Sequence, residues 1–338
     1  MTASLNAVML EEVDGKPKAA FKTLSTADLP DHEVLVEVAY STVNYKDGLA
    51  LTGKGKIARK LPMVCGVDLA GTVLESRSPD WKPGDRVVVN GWNLSETEWG
   101  GYIQQQRVKP EWLVRVPEAF TLAESMAIGT AGYTAMLAVL ALEHAGLKPD
   151  GRPDGRPDGR EVLVTGAAGG VGSIAVSVLA KLGYRVTAST GRPETHDYLK
   201  SLGAHTIIER GALTEKGLPL QREHWAGAVD SVGGQTLANV IAQTARHGAI
   251  AVCGLAGGSD LPASVFPFIL RGVALVGVDS VQATRSQREE AWRRLALDLD
   301  KTRLDAMTTI EPLSKVFELA EAIVRGQVRG RTVIDVRK

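Results

Sequence analysis

A chain of 338 residues is long enough for two domains, each with its own core, and is longer than one dinucleotide-binding fold requires. Its 44% apolar and 23% charged content is that of an ordinary globular protein, and 39 Lys and Arg balance 39 Asp and Glu. No global field therefore favours nucleic acid or a membrane as partner, and an anionic ligand must be held by local groups.

Residues 1–10 carry no basic n-region, and no apolar run reads as long enough to span a membrane, so a cytoplasmic location is expected. Cys65 and Cys253 lie far apart and read as small apolar side chains rather than a disulfide. Residues 1–125 read as mostly β. Glu33–Tyr40 alternates polar and apolar as a half-buried strand does, and Gly71–Leu74 and Asp85–Val89 supply two more, separated by turn formers such as Lys82-Pro83-Gly84. Short, punctuated strands of this kind suggest a compact, barrel-like domain.

The period changes after Pro117. Leu122–Ile128 and Tyr133–Leu140 read as helices bracketing Gly129-Thr130-Ala131-Gly132. Between Pro149 and Arg160 the tetrapeptide Pro-Asp-Gly-Arg occurs three times, and it reads as an exposed turn-forming expansion. From Val162 the pattern is strand, helix, strand through Arg185–Thr190, Ala204–Ile208, Ala226–Val232, Gly248–Cys253 and Val273–Val278, which specifies right-handed crossovers and a parallel sheet. The tail beyond the helix of Arg288–Leu299 has no place in that sheet and is returned to the first domain. The expected fold class is thus α/β. A mostly-β domain covers residues 1–124 and 300–338, and a doubly wound Rossmann domain covers 125–299.

The apolar strand Val162–Val164 breaks into Gly166-Ala167-Ala168-Gly169-Gly170-Val171-Gly172 and resumes with helical spacing at Ile174, Val178 and Leu179. Ala167-x-Gly169-x-x-Gly172 is a variant of the dinucleotide fingerprint in the required strand–loop–helix context, with N–H groups of the first helical turn facing a pyrophosphate. Ala168, Gly169, Gly170, Val171 and Gly172 are the expected contacts. The next strand ends in Ser189-Thr190-Gly191-Arg192, without the carboxylate that holds the ribose hydroxyls of NAD. Two hydroxyls and a guanidinium in that place suit the 2′-phosphate of NADPH.

The order of parts resembles the medium-chain dehydrogenase/reductase superfamily along essentially the full length. Ser41–Asp47, Gly66–Thr72, Gly129–Met136, Tyr198–Ala204, Pro267–Val273 and Gly277–Val281 resemble its zinc-independent, quinone-reductase-like group, in the acrylyl-CoA reductase (NADPH) branch. The resemblance implies a GroES-like catalytic domain beside the Rossmann domain, and homodimers joined at the last Rossmann strand. Where zinc-dependent members carry a Cys ligand and Gly-His-Glu, this chain has Asn44-Tyr45 and Gly66-Val67-Asp68, and no four closely spaced cysteines occur. Chemistry without metal is therefore expected: reduction of an activated C=C bond rather than alcohol oxidation.

The implied reaction adds hydride to the β-carbon of an acyl-CoA thioester, acrylyl-CoA, and needs alignment, oxyanion stabilisation and a proton. The resemblance casts Tyr45 as a catalytic and nicotinamide-side residue and Asn44 as an amide partner for cofactor or thioester. Water is the alternative proton donor, and a polar turn after the strand is the alternative reading of both residues. The family layout further implies Thr130 and Leu255 near the nicotinamide half, Ser280 at the carboxamide, and Ile269 and Arg325 as additional cofactor contacts. Arg271 reads either as a cation for a CoA phosphate or as a partner of neighbouring carbonyls. A quinone or enone reductase with the same cradle is the alternative enzyme, and a non-catalytic NADPH-binding protein the alternative from another class.

Overall fold

The computed structural model describes residues 4–149 and 161–338. All but the first residue of the Pro-Asp-Gly-Arg repeat lies outside them. The chain divides into two compact units, the first of Met1–Tyr133, Ser280–Ala296 and Leu304–Lys338, the second of Thr134–Asp279 and Leu297–Arg303.

Unit 1 opens with a hairpin, β1 (Ser4–Val13) and β2 (Lys16–Ser25), turning at Asp14-Gly15 with both φ angles positive, the geometry that matches the strand twist in two-residue hairpin loops. There follow β3 (Val34–Thr42), α1 (Tyr45–Thr52), β4 (Met63–Val64), β5 (Asp68–Ser76), β6 (Arg86–Asn90), β7 (Gln105–Val108) and β8 (Val114–Arg115). Next come α2 (Leu122–His144) and, in unit 2, β9 (Glu161–Val164), α3 (Gly170–Lys181), β10 (Val186–Thr190), α4 (His196–Ser201), β11 (Thr206–Glu209), β12 (Trp225–Asp230), α5 (Gly234–Gln243), β13 (Thr244–Val252), α6 (Phe266–Arg271) and β14 (Ala274–Gly277). The chain finishes with α7 (Arg285–Asp298), α8 (Lys301–Ala306), β15 (Thr308–Pro312), α9 (Val316–Val324) and β16 (Arg331–Asp335).

The unit 2 sheet is parallel in the order β11-β10-β9-β12-β13-β14. This is the doubly wound order, with the ligand crevice at the switch between the first and fourth strands in sequence, here β9 and β12. Val162, Leu163 and Val164 are fully buried, as a central parallel strand covered on both faces demands. In unit 1, β3, β5, β6 and β8 pair antiparallel around a core that includes Val36, Val38, Leu69, Val87 and Val89. The tail joins this sheet: β16 pairs antiparallel with β3, matching Val333 to Thr42 and Ile334 to Ser41. Ser280–Ala296 groups with unit 1 through Arg288, whose guanidinium donates to the carbonyls of Asn90 and Val281, and through Trp292, whose indole N–H donates to Asn90.

Helix α2 corrects one reading. It is long enough and, with mean hydropathy 1.6 over an 18-residue window, apolar enough to cross a membrane, yet 89% of that window is buried in the protein. Its backbone also breaks at Gly129 (φ 51°, ψ −161°), so it is a core helix interrupted at one residue.

Candidate functional site

Unit 1 carries one cluster of candidate residues, at the meeting of β3, α1 and β5. Strand β3 ends at Thr42, two residues before Asn44, the N-cap of α1; Asp47, three residues further on, accepts a hydrogen bond from the Asn44 backbone N–H at 2.9 Å. Strand β5 begins with Asp68, fully buried. Its carboxylate accepts from the Thr42 hydroxyl at 2.7 Å, the Thr130 backbone N–H at 2.8 Å and the Asn44 amide nitrogen at 3.3 Å. The break at Gly129 delivers the Thr130 donor. A side-chain carbon on Gly129 would stand 2.7 Å from Nη2 of Arg331 and 3.0 Å from Oδ2 of Asp68, so only glycine fits between them. Arg331 donates through Nε to the Ala127 carbonyl at 2.7 Å, just before the break.

Asn44 is thereby defined. Its amide nitrogen donates to Thr42 at 2.7 Å, Asp47 at 3.2 Å and Asp68 at 3.3 Å, so its N–H groups hold the cluster together. Tyr45, the first residue of α1, follows this N-cap and is 41% exposed. Asp47 is fully buried and also accepts from the Val67 N–H at 3.0 Å; burial first, and then the neighbouring Asp68, push its carboxyl up to about 7.

Unit 2 carries a separate candidate site, the loop between β9 and α3. Thr165 donates its hydroxyl at 2.6 Å to Asp230 at the end of β12, and Asp230 also accepts from the Gly233 N–H at 2.8 Å. Burial raises the Asp230 carboxyl, against the lowering effect of these donors. Gly166 makes the turn with φ 58°, and a side-chain carbon on Gly172 would stand 2.4 Å from the Gly166 carbonyl oxygen, so α3 starts in contact with the turn. Gly169 is the N-cap of α3, and the first-turn N–H groups of Gly170, Val171 and Gly172 follow it. Ala168 is buried beneath this turn.

Strand β10 runs alongside, with Ser189 accepting from the Ala167 N–H at 3.2 Å. The Thr190 hydroxyl accepts from the Arg192 backbone N–H at 3.2 Å, and the Arg192 side chain reaches the Ala168 carbonyl at 3.5 Å. Gly191 is covered by a second guanidinium: a side-chain carbon there would stand 2.9 Å from Nε of Arg210, which follows β11. Two arginines thus flank a strand end whose residues 186–192 include no acid. The cradle, the helix N-terminus and this cationic end fit the pyrophosphate and 2′-phosphate of NADPH.

The other sequence candidates are dispersed. Leu255, 61% exposed, borders an open cleft of about 440 Å³ past the ends of β13 and β14, shared with Val252, Cys253, Gly254, Val278 and Asp279. Burial pushes the Cys253 thiol up to about 12. Ser280 groups with unit 1, where its carbonyl accepts from Arg288 at 3.4 Å. Ile269 stands exposed on α6, and Arg325, just past α9, pairs with Glu321 at 3.3 Å. Of the two readings of Arg271 the structure takes the partner of neighbouring carbonyls: it is buried and donates to the carbonyls of Ala242 at 3.0 Å, Thr244 at 3.1 Å and Gln221.

Sequence reasoning missed Asp47, Asp68, Thr42, Arg331 and Arg210. The Asn44-x-x-Asp47 spacing is a readable capping signal. Asp68, Arg331 and Arg210 arrive from distant strands and carry no local signal. Among the described residues no group of three His, Cys, Asp or Glu stands ready to hold a metal ion.

Two family models match the chain: Alcohol dehydrogenase GroES-like domain over residues 30–118 and Zinc-binding dehydrogenase over residues 170–297. Acrylyl-CoA reductase AcuI of Ruegeria pomeroyi is 52% identical, over 96% of this chain and 97% of its own. The crystal structure of the yhdH oxidoreductase from Salmonella enterica in complex with NADP superimposes with a TM-score of 0.93 at 48% identity, covering 98% of this chain and 99% of that one. The Bacillus subtilis protein yhfP, crystallised with NAD bound, superimposes with a TM-score of 0.92 at 41% identity, covering 98% and 99%.

The buried Asp47 carboxyl makes a pH-dependent prediction. Between the ordinary aspartate range and about pH 7 the folded chain keeps a proton on Asp47 that the unfolded chain has released. Its contribution to stability is full at low pH and is lost as pH rises through that window, by up to about 1.4 kcal/mol per pH unit. Asp47→Asn removes this titration, so its unfolding free energy, measured by urea titration, should gain on the parent protein from pH 4 to pH 7. A difference that stays constant across the window would rule out the raised carboxyl.

Proposed function

The chain belongs to the medium-chain dehydrogenase/reductase superfamily, in its acrylyl-CoA reductase branch, and from that membership we propose that it reduces the C=C bond of acrylyl-CoA to propionyl-CoA with NADPH. The observation that carries the substrate is the full-length 52% identity to an acrylyl-CoA reductase. The cofactor rests on the neighbour crystallised with NADP and on the acid-free β10 end beneath two guanidinium groups.

Bound NADPH supplies the hydride that the β-carbon of the thioester accepts; a proton adds at the α-carbon. The residues divide the remaining work. Arg192 and Arg210, with Ser189, Thr190 and Gly191, would take the 2′-phosphate, and Ala168–Gly172 the pyrophosphate. Leu255, Ile269, Ser280 and Arg325 are assigned to the rest of the cofactor. Asp68 fixes Thr130 and Asn44 in one geometry, which supports their roles beside the nicotinamide and the thioester. Tyr45 offers a neutral phenol as hydrogen-bond donor to the charge that develops on the thioester oxygen, or as organiser of the water that delivers the proton.

The finer assignments follow the same reading. Asn44 and Val67 stand where zinc-dependent members carry the Cys ligand and the His of Gly-His-Glu, and Asn44 is held by Asp68 in a hydrogen-bond network, which supports chemistry without zinc. Residues 1–124 and 300–338 are assigned the catalytic role and 125–299 the cofactor role. A homodimer across the edge strand β14 is supported by exposed apolar side chains on and before it, Leu275, Ile269, Leu270 and Phe266. A cytoplasmic enzyme without nucleic-acid or membrane partner accords with the balanced charge.

Three measurements test this reading. Mixing protein, NADPH and acrylyl-CoA should bleach the nicotinamide absorbance and yield one propionyl-CoA per NADPH. Rapid oxidation with quinones and none with the thioester would instead identify a quinone reductase, and NADPH binding without reduction of any enone or enoyl thioester a non-catalytic protein. Arg192→Ala and Arg210→Ala should each raise KM for NADPH roughly 10- to 100-fold, the worth of a charge-assisted hydrogen bond, with NADH little affected; equal losses with both cofactors would contradict the 2′-phosphate assignment. Tyr45→Phe should lower kcat roughly 100-fold at nearly unchanged NADPH affinity, and an unchanged kcat would remove Tyr45 from the chemistry.

A further inference from the structure

The reading of an acyl-CoA substrate leaves its anionic end unplaced, since Arg271 is engaged by backbone carbonyls. Unit 1 holds a second concentration of positive charge. In a chain with equal numbers of acids and bases, residues 48–67 contain Lys54, Lys56, Arg59 and Lys60 and not one Asp or Glu. All four cations are exposed. Lys54 pairs with Glu321 at 3.2 Å and Arg59 with Glu96 at 3.5 Å, whereas Lys56 and Lys60 have no ion-pair partner among the described residues.

This cationic segment starts where α1 ends and is folded back toward where α1 begins. Gly53 caps α1 in the left-handed region, at φ 69°. From there the chain returns so that the Arg59 backbone N–H donates to the Glu96 carbonyl at 2.7 Å. The Glu96 carboxylate, largely buried, takes Lys46 at 2.7 Å on its other oxygen. Lys46 is the residue after Tyr45. Glu96 therefore pins Arg59, and Lys60 with it, beside the first turn of the helix that presents Tyr45, while Lys54 and Lys56 stand past its far end, about 12 Å along the axis.

We propose that Lys56, Arg59 and Lys60 form the docking site for the phosphorylated end of the CoA substrate, its 3′-phosphate and diphosphate. The thioester lies at Tyr45, and an extended pantetheine arm connects it to phosphates held on this rim. The proposal rests on the acyl-CoA reading. Ammonium and guanidinium groups on mobile, solvated stems suit a ligand that must be captured and then released as product, and they steer an anion toward the site by long-range attraction. The carbon skeleton undergoing reduction is not touched by these residues, so they bear on substrate capture and leave turnover unchanged.

The test compares acrylyl-CoA, its 3′-dephospho analogue and acrylyl-pantetheine as substrates of the intact enzyme, with calorimetric binding of CoA itself as a readout independent of turnover. The double variant Lys56→Glu/Lys60→Glu, altered at two exposed positions, should raise KM for acrylyl-CoA about tenfold, the equivalent of one lost phosphate contact, at unchanged kcat. It should weaken CoA binding to the same degree and leave acrylyl-pantetheine within about twofold of the parent enzyme. Arg59→Gln should act in the same direction. A smaller effect of the double variant on the 3′-dephospho substrate assigns the lysines to the 3′-phosphate, and an equal effect assigns them to the diphosphate. Unchanged KM and CoA affinity in the double variant, or an equal rise with acrylyl-pantetheine, would overturn the site while leaving the reductase reading intact. CoA binding that depends on these residues in a protein inert toward acrylyl-CoA would overturn the reading and keep the site.

Discussion

One carboxylate, that of Asp68, holds three chain segments at a single point. It accepts from the end of β3 at Thr42, the cap of α1 at Asn44 and the restart of α2 at Thr130, with Arg331 of β16 close by. A fully buried charge without donors would cost several kcal/mol, so these segments are held wherever the carboxylate can be satisfied. Moving any one of them strips the charge of a partner. The break at Gly129 follows from the same demand, because an unbroken helix would keep the Thr130 N–H for its own ladder. The geometry of this cluster is thus fixed by buried electrostatics.

The two units place their charges differently. Unit 1 buries acids, and one of them, Asp47, is pushed up to about 7 by its own burial and by its neighbour. Unit 2 gathers arginines at the open end of β10 and uses Thr165 and Asp230 to fix the loop beneath them. A chain of zero formal net charge can therefore still bind polyanions, because its cations are gathered locally where no acid stands beside them in sequence. Composition hides that segregation.

What was legible in the sequence was what is written locally. Strand β9, its glycine loop and α3 declare themselves within twenty residues, as does the acid-free end of β10, and the alternation of strands and helices announces the parallel sheet. The Asp14-Gly15 hairpin was as readable, from a dipeptide that favours such turns, and went unread. Arg210 reaches Gly191 from the neighbouring strand, and Arg331 reaches Gly129 from two hundred residues away, so neither announces itself by spacing. Asn44 reads in sequence as an amide partner for cofactor or thioester, whereas the two carboxylates that engage its amide nitrogen come from α1 and β5 together and share no local signal. Arg271 was ambiguous for the opposite reason: a cation near a helix end looks the same in sequence whether it faces solvent or backbone carbonyls.

Strand β16 carries a consequence for how the protein comes into being. It hydrogen-bonds to residues Tyr40–Thr42 and supplies Arg331, so the pocket that surrounds Asn44 is built from the two ends of a chain almost three hundred residues apart. The parallel sheet between them is made of a contiguous stretch and is able to form while synthesis continues. On the ribosome, therefore, the parallel sheet of unit 2 has its full complement of strands before the unit 1 sheet gains β15 and β16.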